Sequence, residues 1–103
     1  MGKIVIIDYG MGNIGSIANM IKKVGGTAQI SSDRKDIAEA EKLILPGVGA
    51  FDTGMNHLNQ SGLIPVLNQK KDDDKIPILG ICLGMQLMTK SSQEGKEKGL
   101  GWI

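Results

Sequence analysis

Apolar positions fall into short runs, and the stretches between them carry apolar residues at helical spacing. Lys3-Ile4-Val5-Ile6-Ile7-Asp8 is β-branched and does not alternate, which predicts a strand buried on both faces, as in parallel sheets. Ile14, Ile17, Ala18, Ile21 and Val24 then recur on one face of a helix. Asn13 is placed to cap that helix, Lys22 and Lys23 suit its last turn, and Gly25-Gly26 stop it. Residues 27–30 form a weaker second strand, and Ser32 or Asp33 can cap a short helix running to about residue 41. Leu43-Ile44-Leu45 is a third strand, closed by Pro46-Gly47-Val48-Gly49. A helix opening at Thr53 turns Met55 and Leu58 inward and breaks at Gly62. Pro65 suits the first turn of the next, with Val66 and Leu67 inward. Residues 70–75, with Asp72-Asp73-Asp74, read as a solvated connector, and 76–81 as a fourth strand with Pro77 near its start. Leu83, Leu87 and Met88 put a helix directly after it, and residues 99–103 look like the approach to a further strand.

Strand and helix alternate four times, so right-handed crossovers predict an α/β, flavodoxin-like parallel sheet with helices on both faces. Such open sheets place their sites at the carboxyl ends of the strands. Three loops qualify: 8–13 (DYGMGN), 46–51 (PGVGAF) and 80–85 (GICLGM).

Composition narrows the classes. The 103 residues suffice for one small domain, and 41% apolar residues suit a packed core. With aromatics at 3%, that core rests on Ile, Leu, Val, Met and Ala. A net charge of +1 gives no electrostatic reason to expect nucleic acid or an anionic membrane. No apolar run approaches the roughly 20 residues of a membrane span. A single cysteine excludes an internal disulfide and fits a reducing cytoplasm, and one His with one Cys cannot make a zinc site.

Gly80-Ile81-Cys82-Leu83-Gly84 has the Gly-x-nucleophile-x-Gly spacing of a strand-to-helix elbow, with Cys as the nucleophile. The residue heads a helix, where the partial positive charge suits an anionic sulfur. The N–H of Leu83 follows it and points where an oxyanion would form. The bland alternative is a small buried core thiol. Pro46-Gly47-Val48-Gly49 can turn a second N–H toward the same place, or be an ordinary turn. Gly10, Gly12 and Gly15 meet a dinucleotide fingerprint in the letter, with Asp33 or Asp36 as the ribose-binding acid. That supports a rival reading, a flavodoxin-like nucleotide- or phosphate-binding module with a structural Cys. His57 is the one histidine, expected on the outer side of its helix. Lys96, Glu97 and Lys98 read as a charged surface turn.

Residues 6–13, 44–51 and 80–87 together resemble the class I glutamine amidotransferases, and within them the glutaminase subunits of imidazole glycerol phosphate synthase. The resemblance runs in register along nearly the whole chain, including Gly99-Leu100-Gly101. It implies that Cys82 is the nucleophile that attacks the carboxamide of glutamine. It gives the oxyanion hole to Leu83 and to Val48 and Gly49, substrate contacts to Gly47 and Gln86, and the interface with the cyclase subunit to Asn13. It implies no cofactor, a cytoplasmic enzyme of histidine biosynthesis, and passage of ammonia to the cyclase partner. Members of the family often carry a larger residue where Gly15 stands. They also run to about twice this length, with the catalytic His and Glu in the second half. Residues 1–103 are therefore expected to form the N-terminal part of a single amidotransferase domain, inactive alone and prone to self-association through its uncovered edge.

Overall fold

The computed structural model describes residues 3–11, 14–90 and 98–102. Four strands, β1 (Ile4–Ile7), β2 (Gln29–Ser31), β3 (Lys42–Leu45) and β4 (Ile78–Gly80), pair in parallel in the order β2-β1-β3-β4. Between and after them run α1 (Ile14–Lys23), α2 (Arg34–Ala38), α3 (Phe51–Ser61), α4 (Ile64–Asp72) and α5 (Leu83–Leu87). The step from β1 to β2 goes one way along the sheet and every later step goes the other. Right-handed crossovers therefore put α1 on one face and the later helices on the opposite face.

The two faces are covered unequally. Val5, Ile7, Leu43 and Leu45 point into one core with Ile37 of α2, Phe51, Met55 and Leu58 of α3, Val66 and Leu67 of α4, and Leu83 and Leu87 of α5. The alternate residues form a row in register on the α1 face: Ile30, Ile6, Ile44 and Leu79. Exposure along that row is 40%, 0%, 8% and 58%, so only its centre is covered. The unbroken apolar pattern of β1 has this cause: as a central strand it is buried on both sides. Helix α1 has no fully buried residue. Val24, expected on its inward face, lies beyond its last residue and is 81% exposed.

Element boundaries shift where side chains reach the backbone. Asp33 caps α2, its carboxylate accepting from the Lys35 N–H at 2.9 Å. The Ser31 hydroxyl donates to Asp36 at 2.7 Å and accepts from the Asp33 N–H at 3.0 Å, so the end of β2 is tied to the start of α2. Helix α3 begins at Phe51, two residues before Thr53, because Phe51 is buried in the core. The expected fourth strand contracts to Ile78–Gly80.

The solvated connector expected at 70–75 is corrected. Lys70 belongs to α4 and is 5% exposed. Its ammonium donates to the Ala38 carbonyl at 2.8 Å and pairs with Asp74 at 2.8 Å, fastening the end of α4 to the end of α2. The described end of the chain also differs from the further strand expected there. The N–H groups of Leu100, Gly101 and Trp102 donate to the carbonyls of Leu87, Thr89 and Met88, and the Trp102 indole donates to Asn68 at 2.8 Å. This stretch satisfies carbonyls at and just beyond the end of α5 that a helix leaves without partners.

Replacing Lys70 with Ala removes a buried donor and the packed methylenes beneath it. It is expected to lower unfolding free energy by about 1–3 kcal/mol, read as a lower urea midpoint at unchanged slope.

Candidate active site

The carboxyl ends of β1, β3 and β4 bring the three expected loops to one edge. The most constrained is the elbow. The Ile81 N–H extends the sheet by donating to Leu45 O at 3.0 Å, and the chain then reverses into α5. The reversal is made at Cys82, with φ 54° and ψ −122°, a conformation that a residue with a Cβ adopts at a cost of about 1–3 kcal/mol. The Cys82 side chain is exposed, so the core-thiol alternative is set aside. The flanking glycines have a steric reason. A Cβ on Gly84 would overlap the Leu45 carbonyl oxygen, and one on Gly80 would lie 2.6 Å from Met85 Cα.

The loop after β3 meets this turn. Pro46 and Gly47 are buried, while Val48 is exposed at 53% and Gly49 has φ +99°. The Leu83 N–H, expected to face an oxyanion, donates instead to the Gly47 carbonyl at 3.1 Å. In this conformation that donor is engaged. Gln86 is exposed on α5, four residues after Cys82.

From the β1 loop, Tyr9 reaches under the second loop. Its hydroxyl donates to the Pro46 carbonyl at 2.5 Å. Its side chain is 5% exposed, and burial pushes the phenol up from 10.0 to about 12. Tyr9 was missed as a site residue on sequence. The available signal was a polar aromatic ending a buried strand, since a buried phenol needs a partner. Asn13 and Gly12 lie outside the described residues. Gly15 sits in α1 with nothing among the described residues within 4 Å of where a Cβ would stand. The third glycine of a dinucleotide fingerprint serves close helix–strand packing, and here that need is absent. The space also accounts for the larger residue that the resemblance allows at this position.

His57 is exposed on α3, as expected, and lies against Gly10: its Nδ1 is 2.9 Å from where a Cβ on that glycine would stand. Among the described residues no group of three His, Cys, Asp or Glu side chains could hold a metal ion, and no helix is long and apolar enough to cross a membrane.

The family model for glutamine amidotransferase class-I matches residues 5–97. The chain belongs to the class I glutamine amidotransferase family. Among curated relatives, this amidotransferase chain is 61% identical over 100 residues to imidazole glycerol phosphate synthase subunit HisH 2 of Methanococcus maripaludis. It is 56% identical over 100 residues to the protein of the same name from Pseudomonas aeruginosa. It is 47% identical to subunit HisH of Bdellovibrio bacteriovorus, again over 100 residues. Each alignment covers 97% of this chain and 49–50% of the relative, so the chain spans about half the length of the curated relatives it matches.

Two measurements check this geometry. Gly84→Ala is expected to cost about 3 kcal/mol or more, whereas Cys82→Gly gains about 1 kcal/mol, the relieved strain less the entropy that glycine adds to the unfolded chain; denaturant midpoints give both signs. Tyr9 is the one tyrosine, so absorbance at the phenolate band follows it alone. The folded chain is expected to ionise near 12, against 10.0 when unfolded. Because the folded value is the higher, the contribution of the neutral phenol is complete below about 10 and is lost as pH rises toward about 12.

Proposed function

We propose that this chain carries the nucleophile and part of the oxyanion and substrate sites of a glutaminase, the ammonia-supplying subunit of an imidazole glycerol phosphate synthase. The observation that carries the reading is the exposed Cys82 held at positive φ between two glycines that nothing larger can replace. Strain of this kind is retained where it presents a reacting atom. The 47–61% identity to HisH proteins supports the same reading.

In the proposed reaction the Cys82 thiolate attacks the side-chain carbonyl carbon of glutamine. An S–C bond forms and the carbonyl electrons move to oxygen. The oxyanion collapses, the C–N bond breaks, and the nitrogen takes a proton from a general acid and leaves as ammonia. Water then attacks the thioester, releasing glutamate and returning the proton to the thiol. The acid–base pair is assigned to polypeptide outside these residues.

The oxyanion role of Leu83 requires its N–H to be released from Gly47 O. Turning the Gly47–Val48 peptide over does this and also swings the Val48 N–H toward the vacated place. One rotation therefore creates two donors, with Gly49 as the flexible far end at φ +99°. Gly47 and Gln86 would hold the substrate, and Asn13 would face the cyclase subunit that consumes the ammonia.

The test is ammonia release from glutamine by the full-length polypeptide with its cyclase partner. Cys82→Ala is expected to lower it on the order of a thousandfold or more. Release that persisted in that variant would leave Cys82 a structural thiol and overturn the assignment.

A further inference from the structure

Two neighbouring carbonyls of the loop after β3 are held by donors from two different elements. The Pro46 carbonyl accepts from the Tyr9 hydroxyl at 2.5 Å, and the Gly47 carbonyl accepts from the Leu83 N–H at 3.1 Å. The first bond comes from a residue after β1 and the second from the first residue of α5. The same phenol fills the space beside Gly47: a Cβ there would stand 2.7 Å from the Tyr9 hydroxyl and 3.0 Å from Gly84 N. Tyr9 thus touches the loop at both Pro46 and Gly47, the residues that precede Val48.

We propose that Tyr9 is a positioning residue that anchors the Pro46 carbonyl and so holds the Gly47 carbonyl on the Leu83 N–H, keeping the oxyanion donors in their resting arrangement. The proposal rests on the glutaminase reading for its functional meaning, but not for its geometry. The pyrrolidine ring fixes φ of Pro46, and the Tyr9 bond fixes the direction of its carbonyl, which sets ψ. With residue 46 held on both sides, rotation is confined to the peptide that follows. Without the hydroxyl, the Pro46 carbonyl keeps no donor among the described residues and the loop is free to swing as a whole. The Gly47–Leu83 bond is then the one expected to open, because Gly47 directly follows the released carbonyl.

Amide hydrogen exchange in the full-length polypeptide tests this residue by residue and needs no glutamine. Tyr9→Phe retains the ring and its packing and removes one donor. The Leu83 N–H is expected to exchange roughly threefold to tenfold faster, while the Ile81 N–H, held by Leu45 O on the same sheet edge, does not change. Equal acceleration at Leu83 and Ile81 would make Tyr9 a general stabiliser and overturn the proposal; so would no change at Leu83. Incorporating 3-fluorotyrosine at position 9 makes a stronger donor and tests the reverse sign without removing a group. It is expected to slow Leu83 exchange relative to Ile81, and an unchanged ratio of the two rates overturns the proposal. Loss of the glutaminase reading would leave these rates as they are. Equal rates would leave Cys82 chemistry as it is.

Discussion

The contact between Gly84 and the carbonyl of Leu45 is the constraint on which the rest of the site depends. It lets the first turn of α5 lie directly against the end of β3, closer than any side chain would permit. That approach forces the chain to reverse within one residue after Ile81. The residue at the reversal is therefore pushed into positive φ, and its side chain is driven outward into solvent. Exposure and strain at Cys82 are two results of a single packing decision. An exposed thiol on a relaxed loop would wander, whereas here the backbone on both sides is held by the ladder bond from Ile81 and by the first bonds of α5.

The same approach brings the loop after β3 within reach of Leu83, and the β1 loop closes the group from beneath. Tyr9, Pro46, Gly47 and Leu83 come from three separate elements, and each is held by another of the set. The Gly47 carbonyl satisfies the Leu83 donor at the head of α5. This avoids leaving a donor unpaired beside the core.

The sheet places this edge and leaves other parts open. On one face the later helices bury a continuous core. On the other, the centre of the row Ile30, Ile6, Ile44 and Leu79 is covered and both ends are exposed. Buried polar groups stitch the covered side together, notably Lys70 between α2 and α4 and Ser31 between β2 and α2. Each is a long or short polar side chain that finds a backbone or carboxylate partner across an element boundary.

The pattern of apolar positions was sufficient for the order of elements and the parallel sheet, and the spacing of glycines around Cys82 for the elbow. Strand burial on both faces leaves unbroken Ile and Val runs, and a turn that admits no Cβ leaves glycines at fixed offsets from Cys82. These are local consequences, written in adjacent residues. Lys70 and Tyr9 were not legible in the same way. A lysine beside three aspartates looks solvated until α2 and α4 are set side by side, and a tyrosine at a strand end has no visible partner until the β3 loop lies over it. The engagement of the Leu83 N–H belongs to the same class, since a backbone donor carries no side-chain signal. What the sequence determined by itself is where the chain must turn and which faces must be dry. Which buried donor meets which carbonyl was decided only by tertiary structure, because those partners lie 32 to 37 residues apart and share no periodicity.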